Sequence, residues 1–272
     1  MATTKPYVHT DGRTLHLGKQ PPVVDPRSLR MSKYSAALPP PPVSVDWTRG
    51  ITSYGSMLNN DLGDCTCAAI GHAVQIASLN SPQGEITPSD NLILNLYEGA
   101  CGYVNGDPNT DNGGIVAYVL NYVLKHNLAS AKKHRHVHAA AALHAYAYIN
   151  PGDIILIKQA LATFGIVDIG LALPNTCQAQ IGGLWSVVGN PQTDPDSMVG
   201  SWGGHSTATV AYDAESITVI TWGALQRMTW EFWAVYVDEG YAMLFKSWLA
   251  WFGQKYPEAL AAMEADLSLI TD

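Results

Sequence analysis

The sequence predicts an α+β fold in which a helical lobe precedes a β-rich lobe, with an extended arm in front and a helix behind. Three observations predict it. Apolar residues recur at helical spacing through the first half, they alternate at strand spacing through the second, and prolines interrupt residues 1–43.

Taken in order, residues 1–43 contain Pro21-Pro22, Pro26 and Pro39-Pro40-Pro41-Pro42, which forbid regular helix and favour polyproline II. Residues 65–78 carry Ala69, Ala73, Ile76 and Ala77 on a helical face. Residues 90–98 and 114–125 read as two more helices, the second opened by Gly113-Gly114 and carrying Ile115, Val119, Tyr122 and Val123. These make a helical lobe over about 44–150. Asn150-Pro151-Gly152-Asp153 then breaks the chain and caps a helix over Ile154–Phe164. Residues 165–172 alternate like a strand, and 206–212 and 216–222 read as strands paired around the turn Asp213-Ala214-Glu215, so 151–243 is the β-rich lobe. The extension over 244–272 ends in a helix begun by Pro257, with Leu260, Met263, Leu267 and Ile270 on one face. Residues 241–252 are dense in aromatic and apolar side chains; they either seal the core or form a contact surface for an oligomer or partner.

Charge and cysteines bound the function. The net charge of −8 argues against nucleic acid as the partner. It is uneven: residues 1–43 carry about +4 and the rest about −12. A basic arm of this kind either docks on its acidic body or on a neighbouring subunit, or stays solvated. No apolar signal segment follows Met1 and no run is long enough to span a membrane, so a cytoplasmic, reducing setting is expected, or a virion if the chain is phage-encoded. Cys65-Thr66-Cys67 has no second pair at zinc spacing, so no metal and no cofactor are expected. His134, His136, His138 and His144 follow Lys132-Lys133 and read as a basic solvated edge. Asp107 and Asp111 read as a turn before the Gly-Gly helix, and His72 as a helix-core histidine.

The chemistry concentrates at Cys65. Gly63-Asp64 and an alanine-rich run place its thiol at the N-terminus of a buried helix, where the dipole and free amides favour thiolate. Asn59 can offer an amide to a developing oxyanion beside the Cys65 N–H. His205, at the mouth of an apolar strand after Gly203-Gly204, is the candidate base.

These residues carry a resemblance. Val45-Asp46-Trp47, Asn59, Cys65, Asp111-Asn112-Gly113-Gly114, the strand from Gly204-His205 to Tyr212-Asp213, and Ile220-Thr221-Trp222-Gly223 follow the motif order of papain-like (C1-type) cysteine peptidases across roughly residues 44 to 243. The chain looks like a divergent bacterial or phage member. The resemblance implies a two-lobe papain-like fold and a thiol hydrolase cleaving peptide or isopeptide bonds. Cys65 would be nucleophile and His205 base; Gly113, Gly114, Gly204 and Trp222 would line the substrate path. The departures are specific. The family's orienting Asn falls on Ile220 or Thr221, and Thr221 Oγ can accept the His205 N–H instead. Asn59 replaces the oxyanion Gln, Thr66 the Trp after the nucleophile, and Leu62 and Asp111 the bridging cysteines. Two other readings stand beside the peptidase. One is acyl transfer or hydrolysis on a non-peptide amide. The other is a degenerate papain-fold assembly protein, such as a phage or shell component, using residues 1–43 and 241–252 for subunit contacts. An open cleft with Cys65 and His205 in hydrogen-bonding reach would favour the enzyme, and a filled or absent cleft the assembly protein.

Overall fold

In this computed structural model, which describes residues 6–126, 128 and 142–271, the chain opens with β1 (Tyr7–Val8) and β2 (Thr14–Leu15). β3 (Leu29–Arg30) and β4 (Val45–Asp46) follow and both join the main sheet. The helical half is built on α1 (Cys65–Leu79), buried from Cys65 to Ser78. Its apolar and small residues run all round the helix, which suits complete burial. Gly71 lets Met57 and Ile93 approach: a Cβ there would overlap the Met57 sulfur. α2 (Asp90–Cys101) and α3 (Val116–His126) pack against it, α2 ending at Gly102 in the left-handed region, φ +76°.

The remaining elements are β5 (Leu143–Ile149), α4 (Ile154–Phe164), β6 (Val167–Leu173), β7 (Leu184–Trp185), β8 (Gly203–Tyr212), β9 (Ser216–Thr221), β10 (Ala224–Thr229), α5 (Trp230–Tyr236), β11 (Val237–Phe245), α6 (Leu249–Lys255) and α7 (Pro257–Thr271). The nine-stranded sheet runs β3-β5-β11-β6-β8-β9-β10-β7, with β4 against β8. The α+β architecture is the one expected from the sequence. β5 also lies in the sheet, antiparallel to β11, so the sheet takes in a strand that precedes residue 150. Asp153 caps α4 as expected, its carboxylate accepting from Leu156 N at 3.0 Å.

Residues 241–252 are mostly core side chains. β11 sits between β5 and β6, so Tyr241, Leu244 and Phe245 are core side chains at 0–1% exposure. Trp248 and Phe252 are buried too; the Trp248 indole donates to Ala77 O at the end of α1, and Phe252 packs 4.9 Å from Phe164. Trp251 alone of these aromatics is exposed. Their density reflects a strand covered on both faces.

The arm docks on the body. β3 pairs in parallel with β5, the Gln159 amide donates to the carbonyls of Ser35, Leu38 and Pro39, and Tyr34 and Lys33 both reach Asp266 on α7. His134, His136 and His138 lie outside the described residues. His144 stands on β5 with Nε2 3.7 Å from Glu264 on α7.

Candidate active site

Asp64 caps α1 through its carbonyl, which accepts from Cys67 and Ala68, and Cys65 is the first helical residue. Across from it β8 brings His205, fully buried as its third residue. His205 Nε2 lies 2.6 Å from Thr221 Oγ1 on β9. The Trp222 indole stacks on the imidazole at 4.4 Å and 16°. Trp222 (φ +45°) and Gly223 (φ +76°) both adopt the left-handed conformation between β9 and β10, which folds the indole back over His205. Thr221 thus holds the place of the orienting side chain. Ile220 is packed into the core.

The Ser206 backbone N–H faces the Cys65 thiol, so Cys65 and His205 share one corner. Yet no hydrogen bond joins Cys65 to His205 among the described residues, and His205 Nδ1 is buried without a partner. The expected thiolate–imidazolium pair is absent here. Burial pushes the Cys65 thiol up to about 12, opposed by the Ser206 N–H, aided by Asp64 and opposed again by the Gly18 N–H. Burial likewise lowers His205 to about 3, with the Lys19 ammonium adding to it. In so dry a corner both groups are neutral.

The dryness comes from the arm. Residues 16–20 fill the cleft. Gly18 N and Lys19 N donate to Gly204 O on one wall; Gly114 N donates to Gly18 O, and Gln20 N to Gly114 O, on the other. Lys19 and Gly114 form a parallel bridge. His16 is held by Asn59 O and by the Trp222 indole, and Arg13 by Trp222 O. Gly18 is the narrow point: a Cβ there would overlap Gly63, and one on Gly113 would overlap Gly18 O. Gly113, Gly114, Gly204 and Trp222 therefore all touch the arm.

Asn59 is buried with its amide donating to Leu62 O at 3.1 Å, so it faces its own loop rather than the thiol. Where the resemblance places a bridging cysteine, Asp111 instead accepts from Gly63 N at 3.0 Å and from Tyr97 Oη, and the Gly113 N–H donates to Tyr97 Oη. All four cysteines are free. His72 is a core residue, Nδ1 3.0 Å from Gln75 Oε1, lowered to about 4 by burial.

Solved structures similar to this one can now be set beside that geometry. Xylellain, a cysteine protease from Xylella fastidiosa, superposes with a TM-score of 0.61 at 19% identity, over 85% of this chain and 96% of its own. The Carica candamarcensis cysteine protease CMS1MS2, solved in complex with E-64, gives 0.53 at 14% over 75% and 99%. The ragweed pollen cysteine protease Amb a 11, in its proform, gives 0.55 at 14% over 81% and 71%. The fold is that of the papain-like cysteine proteases. No protein-family model matches the sequence, and neither does any protein of curated function. Among the described residues no helix is long and apolar enough to cross a membrane.

Sequence reading missed four charged groups around the cleft: Lys19, Asp168, Asp238 and Glu239. Asp168 had a visible signal, a carboxylate inside the apolar strand run 165–172. Asp64, read only as part of the approach to α1, is fully buried, and burial holds its carboxyl well above the ordinary range, opposed by the Asn59 amide.

Proposed function

We propose that the chain is a papain-like thiol hydrolase of peptide or isopeptide bonds, held shut by its own arm. A filled cleft is in itself what the assembly-protein reading expects; the manner of the filling is what favours the hydrolase. The cleft over Cys65 is filled, and its occupant is main chain of residues 16–20, hydrogen-bonded to Gly114 on one side and Gly204 on the other. A groove that accepts an extended backbone on both walls suits a peptide substrate. Cys65 attacks the carbonyl. The Cys65 N–H, with Asn59 once its amide leaves Leu62 O, stabilises the oxyanion. His205, oriented by Thr221, protonates the leaving amine and then takes a proton from the water that hydrolyses the Cys65 thioester, releasing the acid and the thiol. With the arm displaced, water restores the charged forms: the thiol falls and the imidazole rises toward an ion pair.

The test is the alkylation rate of Cys65 by iodoacetamide against pH, in the parent and in Gly18→Val. A branched Cβ cannot pass Gly63, so the variant arm is expelled. The parent is expected to label slowly throughout the neutral range. The variant should label Cys65 at least ~10-fold faster at neutral pH, ionising below the ordinary thiol value of about 8.5. Faster labelling of Cys67, Cys101 or Cys177 than of Cys65 would remove the nucleophile assignment. An opened site with no such ionisation leaves the assembly-protein reading in its place.

A further inference from the structure

The arm's lysine enters a pocket that no part of this mechanism uses. The Lys19 side chain is 1% exposed, with Nζ 2.9 Å from Asp238 Oδ2 and 3.3 Å from Glu239 Oε1, and 3.3 Å from Gln20 O. The Glu239 side chain is fully buried and takes the Tyr241 hydroxyl on Oε2. Asp168, also buried, accepts from Ser206 Oγ at 2.9 Å and feels both Lys19 and Glu239. Gly170 makes the room, since a Cβ there would overlap Lys19 Cε. The pocket opens next to the nucleophile, because Ser206 follows His205 and turns its N–H to Cys65.

We infer that this pocket of Asp168, Asp238 and Glu239 is a specificity site that selects a basic substrate side chain, arginine above lysine; the inference rests on the hydrolase reading above. Two arguments carry it. Asp168 and Glu239 are buried and Asp238 half-buried beside them, so an apolar side chain in the pocket leaves these acids without a partner, whereas a cation restores the pairing. Second, the arm's ammonium does not satisfy the site. Asp168 Oδ2 and Asp238 Oδ1 have no hydrogen-bond partner even with Lys19 seated. A guanidinium brings five donors in a planar fork where an ammonium brings three. Lys19 is therefore a serviceable but incomplete occupant, and an arginine-bearing substrate has the donors to replace it.

The experiment uses full-length Gly18→Val protein and capped peptidyl acyloxymethyl ketones that differ in one side chain. Arginine, lysine, leucine or glutamate is placed in turn at each of the three positions before the reacting carbon. At one position Cys65 should be labelled at least ~10-fold faster by the arginine probe than by the leucine probe, with lysine between. In Asp238→Asn/Glu239→Gln protein that arginine-to-leucine ratio should fall toward one. Leucine equal to arginine at every position, or a ratio untouched by the double variant, refutes the pocket while leaving the hydrolase intact. Labelling by iodoacetamide but by no peptidyl probe refutes both. Should Gly18→Val fail to fold, the arm itself is the probe. Lys19→Leu should speed iodoacetamide labelling of Cys65 at least ~10-fold over the parent, and Lys19→Arg should not. Equal rates in the two variants refute the selection.

Discussion

At the scale of single residues the site rests on Thr221 and on a buried acid. Thr221→Val keeps the shape and removes the one hydrogen bond that the described residues make to the His205 ring. In the arm-opened protein this should cost on the order of 2–4 kcal/mol of transition-state stabilisation, roughly 30- to 1000-fold in kcat/KM. Ile220→Asn should not rescue it. Ile220 is 1% exposed, so the amide would be buried without partners and the protein destabilised by about 2–4 kcal/mol, read as a shift in denaturation midpoint. Asp64 gives a test with a definite sign. Its folded carboxyl is raised above the unfolded value of 3.8, so it penalises folding above that pH, and the penalty vanishes as pH falls through it. Asp64→Asn is neutral at every pH and should therefore stabilise at neutral pH, with the gain disappearing near pH 4 in denaturation midpoints measured against pH. Cys65, His205, Thr221 and the glycines could be singled out because each sits in a short local motif and the motifs follow the papain-like order, though Cys65 and His205 stand far apart along the chain. Asp238 and Glu239 could not be singled out, because their burial depends on which strands flank β11, a long-range fact.

At the scale of elements, the loop before α1 and the turn before α3 are joined by charge-assisted hydrogen bonds rather than by a covalent bridge. Asp111→Ala removes the acceptor for Gly63 N and for Tyr97 Oη. It should destabilise by ~1.5–3 kcal/mol in chemical denaturation, with Asp111→Asn milder. The helices α1 to α4 were legible through periodicity, Gly-Gly and the Asp153 cap. β5 was not, because it follows residues 129–141 with no turn signal to frame it. The arm's extended character was legible in its prolines and its docking in its charge. Its passage through the cleft was not: Gly18 shows its purpose only when Gly63 and Gly113 stand on either side.

At the scale of the whole molecule, one sheet unites arm, lobes and C-terminal segment, and the aromatic stretch over 241–252 belongs to its core. Phe252→Ala should cost about 3–5 kcal/mol, while Trp251→Ala, at 39% exposure, should change the thermal midpoint far less; equal effects would contradict the burial. The sequence showed how dense this stretch is but not which face of the molecule it meets, since a covered strand and an adhesive patch share one composition. Joining the arm to the same chain has a further consequence. A tethered segment competes at an effective concentration of about millimolar, whatever the dilution of the protein. If the seated form is favoured ~100-fold, every substrate appears ~100-fold weaker than its contacts warrant. Such a chain would stay silent among sparse, weak ligands and answer only where good ones are abundant. The strap would then set a concentration threshold, and one residue, Lys19, would set its height.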